Sequence, residues 1–427
     1  MSTGLRLLRG GLVATPEGVM PGDILVQGEW IVAVGPDLEA SGATVVHCGG
    51  LVALPGAVDA HVHLREPGAE HKEDFTTGTR AALAGGYTTV LDMPNSPVPT
   101  SSLSAFAAKA DLARAKACCD FGLFFGATPA NMGEATEVAG AVGLKLYMGS
   151  STGDLLVADL AHQYRHFASY PRDRILAVHA EDEEAVRTFS EEERRPPICA
   201  ELAVARAIAL ARRTGRRLHV CHVSTAAELD AIRLARAQGL AVTCEVTPHH
   251  LFLNRTDEAR LGPLALMNPP LRSPEDQEAL WERLDEVDIV ASDHAPHTLE
   301  EKSGSLPPAG VPGLETTLPL LLDAVAGGRL SLPHLVRLTA ARPAALYRLP
   351  HKGRLAPGYH ADIALIELQS ETALGTDLKT KCGWSPFQGR RVRGRIVRVI
   401  LRGEDAMVEG ELLADPGRGR LVTPRPS

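Results

Sequence analysis

From about residue 53 to 345 the chain alternates short apolar segments of strand length with longer amphipathic segments of helix length. This alternation constrains the fold more than any other feature, because successive parallel strands need a helix-length crossover between them. Eight segments read as strands: residues 57–63, 87–92, 121–127, 143–149, 175–179, 218–222, 240–245 and 287–293. Helical patterns separate most of them, most clearly at 201–214 and 226–238. Eight strand–helix units predict an α/β fold, a (β/α)8 barrel of TIM type. The two ends of the chain read differently. Segments 5–13, 22–35 and 43–47, and again 361–368 and 391–413, are β-rich and broken by Pro and Gly. The ends are expected to pair into one small β-sandwich, with 1–52 and 346–427 flanking a barrel at 53–345.

In such a barrel, chemistry belongs at the C-terminal ends of the strands. Reactive residues should therefore gather where each strand candidate stops. His61, His63 and Arg65 end or follow the first, Asp92 and Asn95 the second, and Lys145 lies in the fourth. His179 ends the fifth, His222 the sixth, and Asp293 with His297 the eighth.

His61 and His63 are two apart on a strand, so both face the same side. Alone, the pair is a weak signal that reads more readily as satisfied polar packing than as a grip on a divalent ion. With His179, His222 and Asp293 added, there are more donors than one ion with an open position needs, which points to two ions sharing a bridge. Lys145, in GLKLYMG, is the expected bridge. An ammonium is costly in an apolar strand, whereas the amine can take up carbon dioxide as an anionic carbamate. The competing readings are a lysine that snorkels to solvent, and Asp154 as the bridge. His219, His249, His250 and His294 are expected to stay out of the ligand set.

The seven cysteines show no CxxC pair and are expected to be reduced and buried. The net charge of −8 argues against nucleic acid, and no stretch approaches the roughly 20 apolar residues of a membrane span. The start lacks the apolar core of a signal peptide, and the expected location is the cytoplasm.

The motifs DAHVHLREPG (59–68), DMPN (92–95), KLYMGSSTG (145–153), HAE (179–181), HVCHVST (219–225), MNPPLR (267–272), SDHAPH (292–297) and GVPGLET (310–316) resemble the dihydroorotases of the amidohydrolase superfamily. The resemblance implies a reversible hydrolysis of the cyclic amide of dihydroorotate to N-carbamoyl-aspartate, in pyrimidine synthesis. It implies zinc, two ions per chain, held by His61, His63, Lys145, His179, His222 and Asp293. It places Arg65, Asn95 and His297 at the substrate carboxylate and Asn268 at the ring amide. Where many bacterial members carry an aspartate in a DDG segment, this chain reads KLYMGSSTG, which follows members with a carbamylated lysine. The metal pair would make hydroxide available near neutral pH, with Asp293 as general base and then acid. The residue range 303–313, rich in Gly, Pro and Ser, is expected at the pocket rim. Hydantoinase, dihydropyrimidinase and allantoinase are the rival activities. A non-catalytic scaffold for aspartate transcarbamoylase is the rival class. A homo-oligomer, dimer or tetramer, is expected, and a complex with aspartate transcarbamoylase is compatible with activity.

Overall fold

The computed structural model describes residues 4–151, 153–189 and 193–425. Its centre is a ring of eight parallel strands: Ala57–Val62, Tyr87–Asp92, a broken third strand (Asp120–Leu123 and Phe125–Gly126), Gly143–Tyr147, Ile175–His179, Leu218–Val220, Val242–Val246 and Ile289–Val290. The third strand changes partner at Phe124: its first part pairs with the second strand and its last residues with the fourth. The ring closes where Val62 bridges to His294 and the His63 N–H donates to the His294 carbonyl at 2.8 Å. All eight strands fall on the eight segments expected. The last is the shortest, because the backbone leaves the ladder before Asp293, whose φ is +46°.

Nearly every strand residue is buried, as befits parallel strands covered on both sides. Outside the ring lie helices such as Pro197–Thr214 and Ala226–Ala237. The second begins with a capping box in which the Thr225 and Glu228 side chains satisfy each other's backbone N–H. Among the described residues, no helix is long and apolar enough to cross a membrane. All seven cysteines are buried and unpaired.

The two ends of the chain build one nine-stranded sheet. Leu5–Thr15, Gly18–Gln27, Trp30–Gly35, Thr44–His47 and Val52–Pro55 come from the start; Ile363–Ala373, Arg391–Leu401, Glu404–Val408 and Glu411–Leu412 come from the end. They join where Val52–Pro55 runs antiparallel to Ile363–Ala373. Val13, Ile24, Val26 and Ile31 from one end share a core with Ile363, Leu365, Val397 and Ile400 from the other.

A buried ionic cluster ties this sheet to the barrel floor. Lys352 Nζ lies 2.5 Å from Asp120 Oδ2, at the start of the third barrel strand, and 2.6 Å from Asp362 Oδ2, beside the sheet. Arg402 also pairs with Asp120, and its N–H donates to Asp362 Oδ1 at 2.9 Å. Burial would raise the Asp120 carboxyl, but these two cations hold it below the usual carboxylate range. Removing one partner of such a cluster strands the others in a dry site. Lys352→Met is expected to cost about 3–5 kcal/mol of unfolding free energy, measured by denaturant titration. A loss below about 1 kcal/mol, the scale of an exposed pair, would refute the buried-cluster account.

Candidate metal centre

The strand ends meet in one cavity lined by His61, His63, Arg65, Asn95, Lys145, Tyr147, His179, His222, Asn268 and Asp293, among others. Every expected site residue is there except His297, which lies fully enclosed behind Arg65, its Nε2 at 3.1 Å from the guanidinium. Three cavity residues carry left-handed backbone: Arg65 at φ +64°, His222 at +38° and Asp293 at +46°. For residues with a Cβ this conformation costs about 1–2 kcal/mol each, and such strain collects at functional sites. All three stand where a strand end turns into the mouth of the barrel.

The donor atoms fall into two groups. His61 Nε2 and His63 Nε2 lie 3.3 and 3.1 Å from the same atom, Asp293 Oδ1. Across the cavity, His179 Nδ1 and His222 Nε2 face each other at 3.0 Å. The rings of His61 and His222, 5.5 Å apart, connect the groups. Lys145 is fully buried, with Nζ 3.0 Å from Cys221 Sγ. It did not snorkel to solvent. Asp154 is exposed and does not line the cavity, so it is no bridge between these groups.

Three of the four imidazoles have their other nitrogen committed. His61 Nδ1 makes a short contact with Glu245 Oε1, His63 Nδ1 lies 2.6 Å from Asn95 Oδ1, and His179 Nε2 lies 3.1 Å from Glu181 Oε2. Such partners fix which nitrogen faces inward, the usual support for a metal-ligating imidazole. His222 Nδ1 is buried with no hydrogen-bond partner among the described residues. The residues therefore fit divalent cations: paired inward nitrogens, a shared carboxylate oxygen and an amine, all buried. Zinc-type ions take N and O donors of this kind.

The electrostatics agree. Burial draws His63 down to about 3 and His249 down to about 4, and pulls His222 well below the normal imidazole range. These rings are neutral at pH 7, as ligation requires. Burial alone would raise Asp293 and Glu181. The His63 hydrogen bond and nearby His61 keep Asp293 ionised, and His179 and Arg195 hold Glu181 at about 2.

His219, His249, His250 and His294 do not line the cavity. His219 lies outside the cavity lining, with Nε2 3.1 Å from Glu245 Oε2. His294 is held between Glu73 and the Gly313 N–H, and His250 between Thr247 and the Pro269 carbonyl. The 303–313 segment reaches the cavity through Ala309 and Gly310. Sequence reasoning missed Glu245, Glu181 and Tyr147. Glu245 sits at the end of the seventh strand, a position that the strand-end rule covers. Tyr147 lines the cavity with a buried hydroxyl that has no partner among the described residues; burial keeps it protonated, a donor pointing at whatever fills the site.

Asn95 was expected at the substrate and does line the cavity, but it also braces His63. Asn268 lines it too, with Oδ1 accepting from Arg194 at 2.6 Å.

A parallel barrel with histidines and a carboxylate gathered at its strand ends defines the class of metal-assisted hydrolases. Residues 52–405 match the model of the Amidohydrolase family, and the chain belongs to that family. It is 42% identical over 87% of its length to the multifunctional protein CAD of Squalus acanthias, of which it spans only 16%. It is 40% identical over 87% of its length to the dihydroorotase of Pyrococcus abyssi, covering 88% of that protein. A likeness to the allantoinase of Deinococcus radiodurans, at 37% identity, covers 98% of both chains. Among solved structures, the L-hydantoinase of Arthrobacter aurescens superposes with a TM-score of 0.93 at 31% identity, over 98% of this chain and 99% of that one.

The neutral buried rings set an acid limit. Unfolded, His249 would titrate near its ordinary 6.5; folded, it does so at about 4. Between these values the unfolded chain binds more protons, so stability is full above pH 6.5 and falls as pH drops toward 4. This ring alone accounts for about 3 kcal/mol at most. The melting temperature of chelator-treated protein is expected to fall steeply between pH 6.5 and 4.5, and a flat profile there would contradict neutral buried imidazoles.

Proposed function

We propose that this protein is a dihydroorotase, reversibly hydrolysing the ring amide of (S)-dihydroorotate to N-carbamoyl-L-aspartate. The observation that carries the reading is the placement of Arg65, backed by His297, in the same cavity as Asp293 and the facing imidazoles. A neutral ring needs no such cation, whereas a ring carboxylate does. Arg65 is buried, with its Nε–H on the Pro296 carbonyl at 3.0 Å and Nη2 3.1 Å from His297 Nε2, and it still lines the cavity.

His61, His63 and Asp293 would hold one ion and His179 and His222 a second, with carboxylated Lys145 as a further anionic ligand. In that modification the neutral amine bonds to the carbon of carbon dioxide and releases one proton, leaving an anionic carbamate. When bound, a pair of zinc ions supplies a water of lowered pKa and polarises the scissile carbonyl. Asp293 takes the proton of the attacking water and passes it to the leaving ring nitrogen. Tyr147 offers its hydroxyl to the oxygen on which negative charge develops. Arg65 and Asn95 bind the exocyclic carboxylate and Asn268 the ring amide. Run backward, the same groups close N-carbamoyl-aspartate, a step in pyrimidine synthesis. We place the enzyme in the cytoplasm as a homo-oligomer. A complex with aspartate transcarbamoylase fits the likeness to a multifunctional protein.

The likeness to an allantoinase over both whole chains makes allantoin hydrolysis the specific alternative. Metal-loaded protein assayed side by side on dihydroorotate, hydantoin and allantoin is expected to prefer dihydroorotate by at least about 100-fold in kcat/KM, the discrimination a dedicated charged site provides. Preferred turnover of either other ring would overturn the assignment.

Asp293→Ala is expected to stay folded, to keep at least the His179–His222 ion and to lose turnover by about 1,000-fold or more; normal turnover would remove Asp293 from the chemistry. Arg65→Lys should raise KM about tenfold or more, because a point charge does not replace a fork. Unchanged steady-state constants would remove Arg65 from the site.

A further inference from the structure

Lys302 is a buried cation outside the ligand set. It closes the short helix Leu299–Lys302 and is 1% exposed. Its Nζ donates to three backbone carbonyls: Leu266 at 3.1 Å, Pro308 at 3.0 Å and Gly310 at 3.1 Å. No carboxylate pairs with it among the described residues; burial, and then the nearby Arg194 cation, draw its amine down to about 7. An ammonium kept dry without a counterion is expensive, and three donors matched to three acceptors are what makes it tolerable.

Those carbonyls belong to two separate loops, and both loops line the cavity. Leu266 directly precedes Met267 and Asn268; Pro308 and Gly310 flank Ala309; all but Leu266 and Pro308 of these line the site. The loops also meet directly, the Gly310 N–H donating to the Leu266 carbonyl at 2.8 Å. Gly310 has φ +140°, and a Cβ there would lie 2.5 Å from the Ala295 carbonyl oxygen, so the fit leaves no slack. The assembly reaches the Arg65 pair as well. His297 Nε2 lies 3.1 Å from the Ala309 carbonyl. Beneath Lys302, at 5.6 Å from Nζ, the Trp384 ring donates its N–H to the His297 carbonyl at 2.7 Å.

We propose that Lys302 is a positioning residue for substrate affinity: its ammonium staples the Asn268 loop to the Ala309–Gly310 loop and sets the width of the cavity rim. It touches neither the donor groups of the metal centre nor the ring. Its effect is on where Asn268 and the Gly310 backbone stand relative to Arg65, a placement on which ring binding depends. The proposal rests on reading the cavity as a cyclic-amide site.

Lys302→Met keeps the length of the side chain and removes the charge and all three donors. In metal-loaded enzyme it is expected to raise KM about tenfold or more while kcat changes less than about threefold, because the reacting groups are untouched. Bound metal should be unchanged, and hydrogen exchange at the Gly310 amide should quicken about tenfold or more, since the carbonyl that holds it is released. Lys302→Arg, which keeps the charge and several donors, should recover part of the KM. A folded Lys302→Met enzyme with unchanged KM overturns the proposal, as does a parallel loss of metal, kcat and KM, which would mark a purely structural lysine. Wild-type exchange is informative without any variant: the Gly310 amide should be as protected as the barrel strands, and rapid exchange there refutes the staple. If the wild type turns over another cyclic amide instead of dihydroorotate, the dihydroorotase reading fails and KM is measured on that substrate. The exchange arm tests Lys302 in either case.

Discussion

The structure depends on keeping His63, His179 and His222 neutral, and all four facing imidazoles buried and correctly turned, at the mouth of a parallel barrel. Neutrality comes from burial, which makes the imidazolium form costly. Orientation comes from behind: Glu245, Asn95 and Glu181 each occupy one nitrogen of a different ring, so the remaining nitrogens face inward. His222 lacks such a partner among the described residues, and its strained backbone, with the N–H donating to Glu245 Oε1 at 3.3 Å, takes over that task. Glu245 thus serves His61, His219 and the His222 backbone at once.

The barrel was legible in the sequence because a strand buried on both faces must be an apolar run, and eight such runs separated by helix-length spacers leave few topologies. The inward-facing histidines were legible for a related reason: period-two geometry puts His61 and His63 on one side, and strand ends are where polar residues in apolar runs have somewhere to go. What the spacing could not convey was pairing between strands. That His61 leans on Glu245, or that Asn95 braces His63 while also lining the cavity, depends on register and barrel closure. Tyr147 stayed hidden because an aromatic residue in an apolar strand looks like core until its hydroxyl is seen without a partner. The short last strand was also unreadable, since the positive φ at Asp293 leaves no mark in composition.

On the dihydroorotase reading, this acidic chain would hold an anionic ring by local rather than net charge. Around the rim stand Arg65, Lys72 with Nζ 3.2 Å from His297 Nδ1, Arg194 on Asn268, and Lys302 behind the two loops. At the barrel floor the signs alternate instead, with Lys352 and Arg402 locked against Asp120 and Asp362. The same residue types thus do different work at the two ends: matched charges tie the terminal sheet to the barrel at the bottom, and at the top cations hold loops and neighbours around the cavity, Lys72 itself pairing with Glu301 at 3.0 Å.

The sheet shared by the two ends carries a consequence for synthesis. Val52–Pro55 finds its antiparallel neighbour Ile363–Ala373 only after every barrel strand has been made. During translation the early strands therefore wait with one edge open, and an open edge is a template for unwanted pairing. The barrel, whose neighbours are consecutive in the chain, can form meanwhile, and the late strands then close a clasp around a finished catalytic body.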